Sequence, residues 1–397
     1  MIRKLLPMLY RAAEIFKFDI ALVTNEHHMY SALQAERKLG QQAQWSVLSE
    51  ALVQQAKKLA DAAMRDRLVL FIGAGASVSC GLPSWWGLLR QLADSAPSPL
   101  TEQELSELLA LSNPLEQGQR LLGYYESEAA FKQRAAQLCT SSSFGLQQAL
   151  LGALPIREAI TTNYDDCFER SIRGGGRRLV TIPYSSPEGA DVWLLKMHGC
   201  INHPGDIVLT QNDYDMYADR RAALAGIVQA SLITKHLLFV GFGLRDPNFI
   251  QIISTVRKSI EHHSSSQRHL GTSIQLSHLQ DLSSEFSRDL SFAWMNKKSP
   301  AKAARLSEIF LDLVAAEASN PTRFLNSPMY TSLLSPQEKI LQDKIRALLC
   351  DVPEVVKATG AFEVLHRALV QSFGEYDRNT IQREFMEKRF SPIQEKK

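Results

Sequence analysis

The apolar run Leu68-Val69-Leu70-Phe71-Ile72 stops directly in Gly73-Ala74-Gly75-Ala76-Ser77. Apolar, β-prone residues bounded by turn signals read as a buried strand. The glycines at its end carry no Cβ, so the backbone there can come close to a ligand. The free N–H groups of such a turn can grip a phosphate. Ser77 can add a donor or cap the next turn, and the positive end of a following helix favours a pyrophosphate. Alone, the junction reads equally well as a tight connection between a strand and a helix.

As a dinucleotide pattern the stretch is incomplete. Val78 stands where a third glycine belongs, and Gly81 comes later. No second apolar strand ending in an acidic residue follows about 20 positions on. Pro83, Trp85 and Trp86 intervene, and residues 85–150 read as helices, with Leu105, Leu108, Leu109 and Leu111 near helical spacing. The nucleotide half-site is therefore built differently from an ordinary Rossmann unit.

Further along, the same design recurs, an apolar run ending abruptly in polar or glycine residues. The segments are Glu158 to Asp166 (EAITTNYDD), Val192 to Cys200 (VWLLKMHGC) and His236 to Asp246 (HLLFVGFGLRD). In open parallel sheets the ligand lies beyond the carboxyl ends of the strands, so all of these endings can face one pocket.

In this order GAGAS, TTNYD, MHG and VGFGLRDPN resemble the sirtuin (silent information regulator) domain, over roughly residues 65 to 260. More narrowly the chain resembles the bacterial sirtuin-like branch that lacks a zinc ribbon and serves antiviral defence systems as NAD-cleaving effectors. The resemblance implies an α/β fold, a Rossmann-like parallel sheet of sirtuin type with a helical insertion and helical N- and C-terminal additions. The expected domains are an N-terminal helical segment over 1–66, an NAD-binding catalytic domain over 67–262 and a mainly helical C-terminal region over 263–397.

Breaking the nicotinamide–ribose bond passes through an oxocarbenium-like state, which needs the ribose held and a nucleophile on the opposite face. An amide offers donors and an acceptor together, so Asn163 suits the ribose hydroxyls and a water. A histidine titrates near neutrality, so His198 suits the proton transfer. These positions match the family's catalytic pair, and Asp165 matches its acidic residue. Gly73, Ala74, Gly75, Ser77, Thr162, Gly241, Phe242, Gly243 and Asp246 are the expected cofactor-binding positions. Each also has a duller reading. Asn163 closes an Asx-turn, Asp165 caps a helix, Asp166 caps the helix that follows, His198 is a satisfied loop histidine, and Asp246-Pro247 starts a helix.

Protein deacylases of the family carry paired CxxC zinc ligands after the His-Gly block. Here Cys80, Cys139, Cys167, Cys200 and Cys350 are scattered without metal-ligand spacing, and no zinc is expected. The Phe-Arg pair usual after the deacylase glycine loop is replaced by Gly81-Leu82-Pro83-Ser84-Trp85-Trp86. Water is then the expected acceptor and hydrolysis of NAD the expected reaction, in antiphage defence. The alternatives are a deacylase or ADP-ribosyltransferase, and a module that senses NAD or ADP-ribose without turning it over. An enzyme that destroys NAD has to be restrained, so self-assembly and a regulatory or sensor partner are expected.

A chain of 397 residues with 45% apolar content has ample core material, and a net charge of +2 gives no reason to expect a nucleic-acid partner. The odd number of cysteines, without secretory features, fits a reducing compartment, and the expected location is the cytoplasm. Arg11, Glu14 and Lys17 interrupt any signal-peptide core at the start, and no membrane span is expected. Leu52, Ala56, Leu59 and Ala63 share one helical face ahead of the first strand. Residues 261–271 read as a boundary or mobile loop, 303–318, 336–349 and 352–373 as amphipathic helices, and the charged run 387–397 as frayed. Trp85 and Trp86 read as anchors of the helical insertion, with a lid over the nicotinamide end as the other reading.

Overall fold

The computed structural model describes residues 2–373, apart from 25, 41, 99, 112, 261–268, 278–284, 296–298, 320–324, 327–330, 332–333 and 351. The expected loop at 261–271 falls largely outside the described residues, and the run 387–397 lies wholly outside them. The chain forms two compact units, residues 43–318 and residues 1–42 together with 319–397.

In chain order the described helices begin with α1 (Ile2–Phe16) and α2 (His27–Leu39) of the smaller unit. The larger unit opens with α3 (Glu50–Met64), whose start is held by Ser49 Oγ accepting from Leu52 N–H. Its face of Leu52, Ala56, Leu59 and Ala63 is buried as the spacing predicts. Strand β1 (Leu68–Ile72) follows and runs into a 3₁₀ turn, Ala74–Cys80. The predicted helical insertion is α4 (Trp85–Asp94), α5 (Glu102–Leu109), α6 (Pro114–Leu122), α7 (Glu128–Leu138) and α8 (Leu146–Ala153). Trp85 packs against the apolar core of this insertion, whereas Trp86 stands half exposed.

Then come β2 (Glu158–Thr161), α9 (Cys167–Gly174), β3 (Leu179–Ile182), β4 (Val192–Lys196), α10 (Gln211–Asp215), α11 (Tyr217–Thr234), β5 (His236–Val240), α12 (Pro247–Ile260), β6 (Gly271–Gln275), β7 (Leu290–Trp294) and α13 (Pro300–Ala318). The smaller unit resumes with α14 (Pro336–Cys350), α15 (Glu354–Lys357) and α16 (Gly360–Phe373). Its core joins Leu6, Ala32 and Leu33 to Ile345, Leu349 and Phe362. No described helix is long and apolar enough to cross a membrane.

The seven strands form one sheet in the order β3-β4-β2-β1-β5-β6-β7, every pair parallel. This is the expected α/β, Rossmann-like arrangement. β1 is buried along its whole length because helices cover both faces. Leu68, Leu70 and Ile72 enter the core shared with α3 and α13, while Val69 and Phe71 enter the one shared with α11 and α12. From β1 the chain first builds toward β3 and then returns to the other side at β5. The switch point, where ligands of such sheets bind, therefore lies between the ends of β1 and β5.

Two expected boundaries move. The sheet does not end at 262: β6 and β7 extend it and α13 closes the larger unit at 318, so the region from 263 is not mainly helical at its start. Nor are residues 1–66 one segment, since α3 belongs to the larger unit and α1 and α2 to the smaller. β6 escaped the sequence reading because Gly271, Thr272 and Ser273 are buried without being apolar. A Cβ at Gly271 would stand 2.4 Å from the Leu237 carbonyl, and Thr272 Oγ1 is bonded to Ser291 Oγ at 2.7 Å and His236 Nε2 at 2.9 Å.

Candidate active site

The strand register aligns the endings. Ile72 pairs with Thr161 on one side and Val240 on the other, and Thr161 pairs with Lys196. Gly73, Thr162, Met197 and Gly241 therefore leave the sheet at one level, with Asn163 and His198 each one residue further on. Adjacent strands lie about 4.8 Å apart, so these side chains emerge at one edge of the sheet.

At the switch point the glycines serve backbone packing. Gly73 N–H donates to Val240 O and Gly75 N–H to Gly241 O, each at 2.9 Å. A Cβ on Gly73 would lie 2.5 Å from Gly241 O, one on Gly75 2.9 Å from Gly241 Cα, and one on Gly241, at φ 64°, 2.1 Å from Ala76 N. Two loops thus interlock through their glycines. Gly243 differs, for a Cβ there meets nothing within 4 Å. Ala74 and Gly75 lie at the surface of the turn, and Thr162 is half-buried. The ring of Phe242 packs among Phe71, Phe239 and Phe249, its centroid 4.5 Å from that of Phe71.

Ser77 is buried at the centre of one polar cluster. Its hydroxyl donates to Asp165 Oδ2 at 2.8 Å and accepts from Asn163 Nδ2 at 3.1 Å. Because that proton is committed to the carboxylate, only the amide nitrogen of Asn163 can face Ser77, and the orientation of Asn163 is fixed. Its Oδ1 is then turned away, buried and without a partner. Asn163 N–H donates to Thr161 Oγ1 at 3.0 Å, and the Thr161 hydroxyl donates to Ile72 O at 2.8 Å. The Asn163 side chain does not close an Asx-turn. Asp165, not Asp166, holds the start of α9, its Oδ1 accepting from Cys167 N–H at 3.0 Å. Asp166 pairs with Arg170 at 2.9 Å.

Beneath this loop lies Lys196, a residue the sequence reading passed over. It is fully buried, paired with Glu169 at 2.9 Å, and its ammonium donates to the carbonyls of Asn163 at 3.3 Å, of Tyr164 at 3.5 Å, and of Asp165. Burial raises the Glu169 carboxyl and opposes the charge of Lys196, while their mutual attraction works against both effects. The only legible signal was a lysine inside an apolar strand, since a buried ammonium has to be matched by acceptors.

A second cluster surrounds His198, which is buried. Its Nε2 lies 3.6 Å from Asp246 Oδ2 and 3.4 Å from Asn248 Nδ2. Asp246 Oδ2 accepts from the Tyr214 hydroxyl at 2.8 Å, and its Oδ1 accepts from Phe249 N–H at 2.9 Å, so Asp246 does start α12. Tyr214 and Tyr217 meet the imidazole edge-on at 5.4 and 5.8 Å. Burial lowers the pKa of His198, Asp246 raises it and Arg221 lowers it. Gly199, at φ 91°, lets the chain turn past Asp206, whose carbonyl a Cβ would meet at 2.4 Å. Among the described residues no group of three or more His, Cys, Asp or Glu is placed to hold a metal ion.

Comparison with known proteins finds a family model and several relatives similar to part of the chain. The family model of the SIR2-like domain matches residues 157–292. The NAD(+) hydrolase ThsA of Bacillus cereus (strain MSX-D12) is 28% identical over 210 residues, 50% of this chain and 41% of that protein. The NAD(+) hydrolase ThsA of Enterococcus faecium is 29% identical over 214 residues, 51% of this chain and 42% of that protein. Defense-associated sirtuin 2 of Bacillus subtilis is 23% identical over 220 residues, 53% of this chain and 21% of that protein. The chain spans less than half the length of each of these relatives.

Proposed function

We propose that this chain, which carries a SIR2-like domain, is an NAD hydrolase that releases nicotinamide and ADP-ribose in antiphage defence. The observation that carries the reading is Asn163 Oδ1, a buried acceptor left open beside the switch point while the rest of its amide is locked by Ser77. Such an atom calls for a donor from a ligand, and a ribose hydroxyl or an attacking water supplies one. Water attacks the ribose carbon as the bond to nicotinamide breaks, nicotinamide leaves with the bonding electrons, and the proton lost by water passes to His198. The depressed pKa of His198 keeps its imidazole neutral and able to accept that proton near pH 7. The exposed glycine turn and the open face at Gly243 offer room for the pyrophosphate. Asp165 orients Asn163 through Ser77. The names of the relatives support the same substrate.

Purified protein incubated with NAD is expected to yield nicotinamide and ADP-ribose in equal amounts by chromatography, and Asn163→Ala and His198→Ala are expected to yield neither while keeping the native melting temperature. ADP-ribose recovered on a protein acceptor would make the chain a transferase. Bound but intact NAD would make it a sensor. Self-association, a regulatory partner and a cytoplasmic site of action belong to the same proposal, because depletion of NAD in healthy cells has to be held off.

A further inference from the structure

Asp246 and Tyr214 have no direct role in the reaction proposed above, on which the following rests, yet both face its base. We infer that they are positioning residues acting through His198: the Asp246 carboxylate keeps the ring proton on Nε2, leaving Nδ1 to accept, and the Tyr214 hydroxyl restrains that carboxylate.

A carboxylate can only accept, so the nitrogen it faces is the one that keeps its hydrogen. Nε2 is that nitrogen, 3.6 Å from Asp246 Oδ2. This exceeds a direct hydrogen bond, so Asp246 acts on the ring through its charge. The gap is maintained from the other side. Oδ2 is held by the Tyr214 hydroxyl at 2.8 Å and Oδ1 by Phe249 N–H at 2.9 Å, so donors from α10 and α12 fix both oxygens. α10 is itself fixed, because Asp213 Oδ2 accepts from Thr210 N–H at 3.0 Å and Asp213 Oδ1 pairs with Lys132 at 2.6 Å. With the proton on Nε2, the Asn248 amide 3.4 Å away turns its oxygen to that nitrogen, because its NH2 group can only donate.

The titratable and charged groups around the ring are Asp246, Tyr214, Tyr217 and Arg221. Arg221 donates to Met197 O at 3.0 Å and Asp206 O at 2.7 Å, and its charge disfavours protonation of the ring. Asp246 is the counterweight. A full hydrogen bond from Nε2–H to the carboxylate would favour the charged ring and blunt the base, and Tyr214 prevents that closure.

Tyr214→Phe and Asp246→Asn test the inference against wild type. One readout is the acid-side midpoint of the pH profile of NAD cleavage. The other is the imidazole titration of His198 by NMR, assigned by its loss in His198→Gln. Tyr214→Phe frees Oδ2 to approach Nε2 and is expected to raise both midpoints by about half a pH unit or more. Asp246→Asn keeps an acceptor for Phe249 N–H but removes the charge. It is expected to lower both midpoints and to cut kcat by roughly 10- to 100-fold with KM nearly unchanged. Lower melting temperatures with unmoved midpoints would reduce both residues to structural supports and overturn the inference, as would a midpoint that falls in Tyr214→Phe. A wild type that leaves NAD intact, with the His198 titration still shifted in the expected directions in the two variants, would sink the hydrolase reading and keep the network. Cleavage with an unmoved titration would do the reverse.

Discussion

At the level of single residues, Ser77 faces inward and its hydroxyl is bonded to both Asn163 and Asp165, which makes orientation of that pair the role to test against phosphate binding. Ser77→Ala removes the bonds to both without adding bulk. It is expected to lower kcat about 100-fold while KM changes little, because a misplaced Asn163 harms orientation more than binding; steady-state kinetics on NAD would show the split, and a rise in KM alone would return Ser77 to the phosphates. The glycines divide in the same way. Gly243→Leu enters open space and should keep the melting temperature while weakening NAD binding, whereas Gly73→Ala drives a Cβ against Gly241 and Phe242 and should destabilise the fold. Calorimetry of binding beside thermal melts separates the two. His198 adds a pH dependence. Its folded pKa lies below the unfolded value of 6.5, so the unfolded chain binds the proton first as pH falls. The stability contributed by the neutral ring is complete above that value and is lost below it. Thermal melts between about pH 5 and pH 7 should therefore show wild type losing more stability on acidification than His198→Gln does.

Among the elements, α7 and α10 are joined by the buried pair of Lys132 and Asp213, 2.6 Å apart, and Asp213 caps the helix that carries Tyr214. Lys132→Met leaves a buried carboxylate without its cation. A loss of about 3 kcal/mol is expected in denaturant unfolding, with a smaller loss on further change to Asp213→Asn in the same chain. Neither residue was legible as a pair, since 81 positions separate them. What the sequence revealed were the strands whose apolar runs end abruptly, β1, β2, β4 and β5. Burial on both faces demands continuous apolar residues, and the ligand-facing ends demand a break. β6 was hidden because small polar residues fill it, bonded to one another across strands. Lys196 was hidden for the opposite reason, as a charge matched by Glu169 on α9 and by backbone carbonyls, which no local side-chain pattern announces.

In the whole molecule, the larger unit contains the sheet, the insertion and both polar clusters within residues 43–318. Its strand order places the switch point at β1 and β5, inside the sheet, and α3 and α13 cover one face while α11 and α12 cover the other. Every side chain assigned a role above, from Ser77 to Asn248, is supplied by this unit. A fragment ending at 262, where a boundary was expected, would strip β6 and β7 from the sheet, leave the β5 edge unpaired and, by removing Phe310 and Leu311 with α13, expose the core they pack in, including Leu70 and Leu238. The fragment 43–318 keeps these contacts. It is expected to melt cooperatively and to bind NAD as the full chain does, whereas 43–262 is expected to aggregate. Hydrogen exchange gives the finer measure: strands β1 and β5 should be equally protected in the fragment 43–318 and the full chain. A loss of protection there would mean that residues 1–42 or 319–397 contribute to holding the sheet, and that the unit is not self-sufficient.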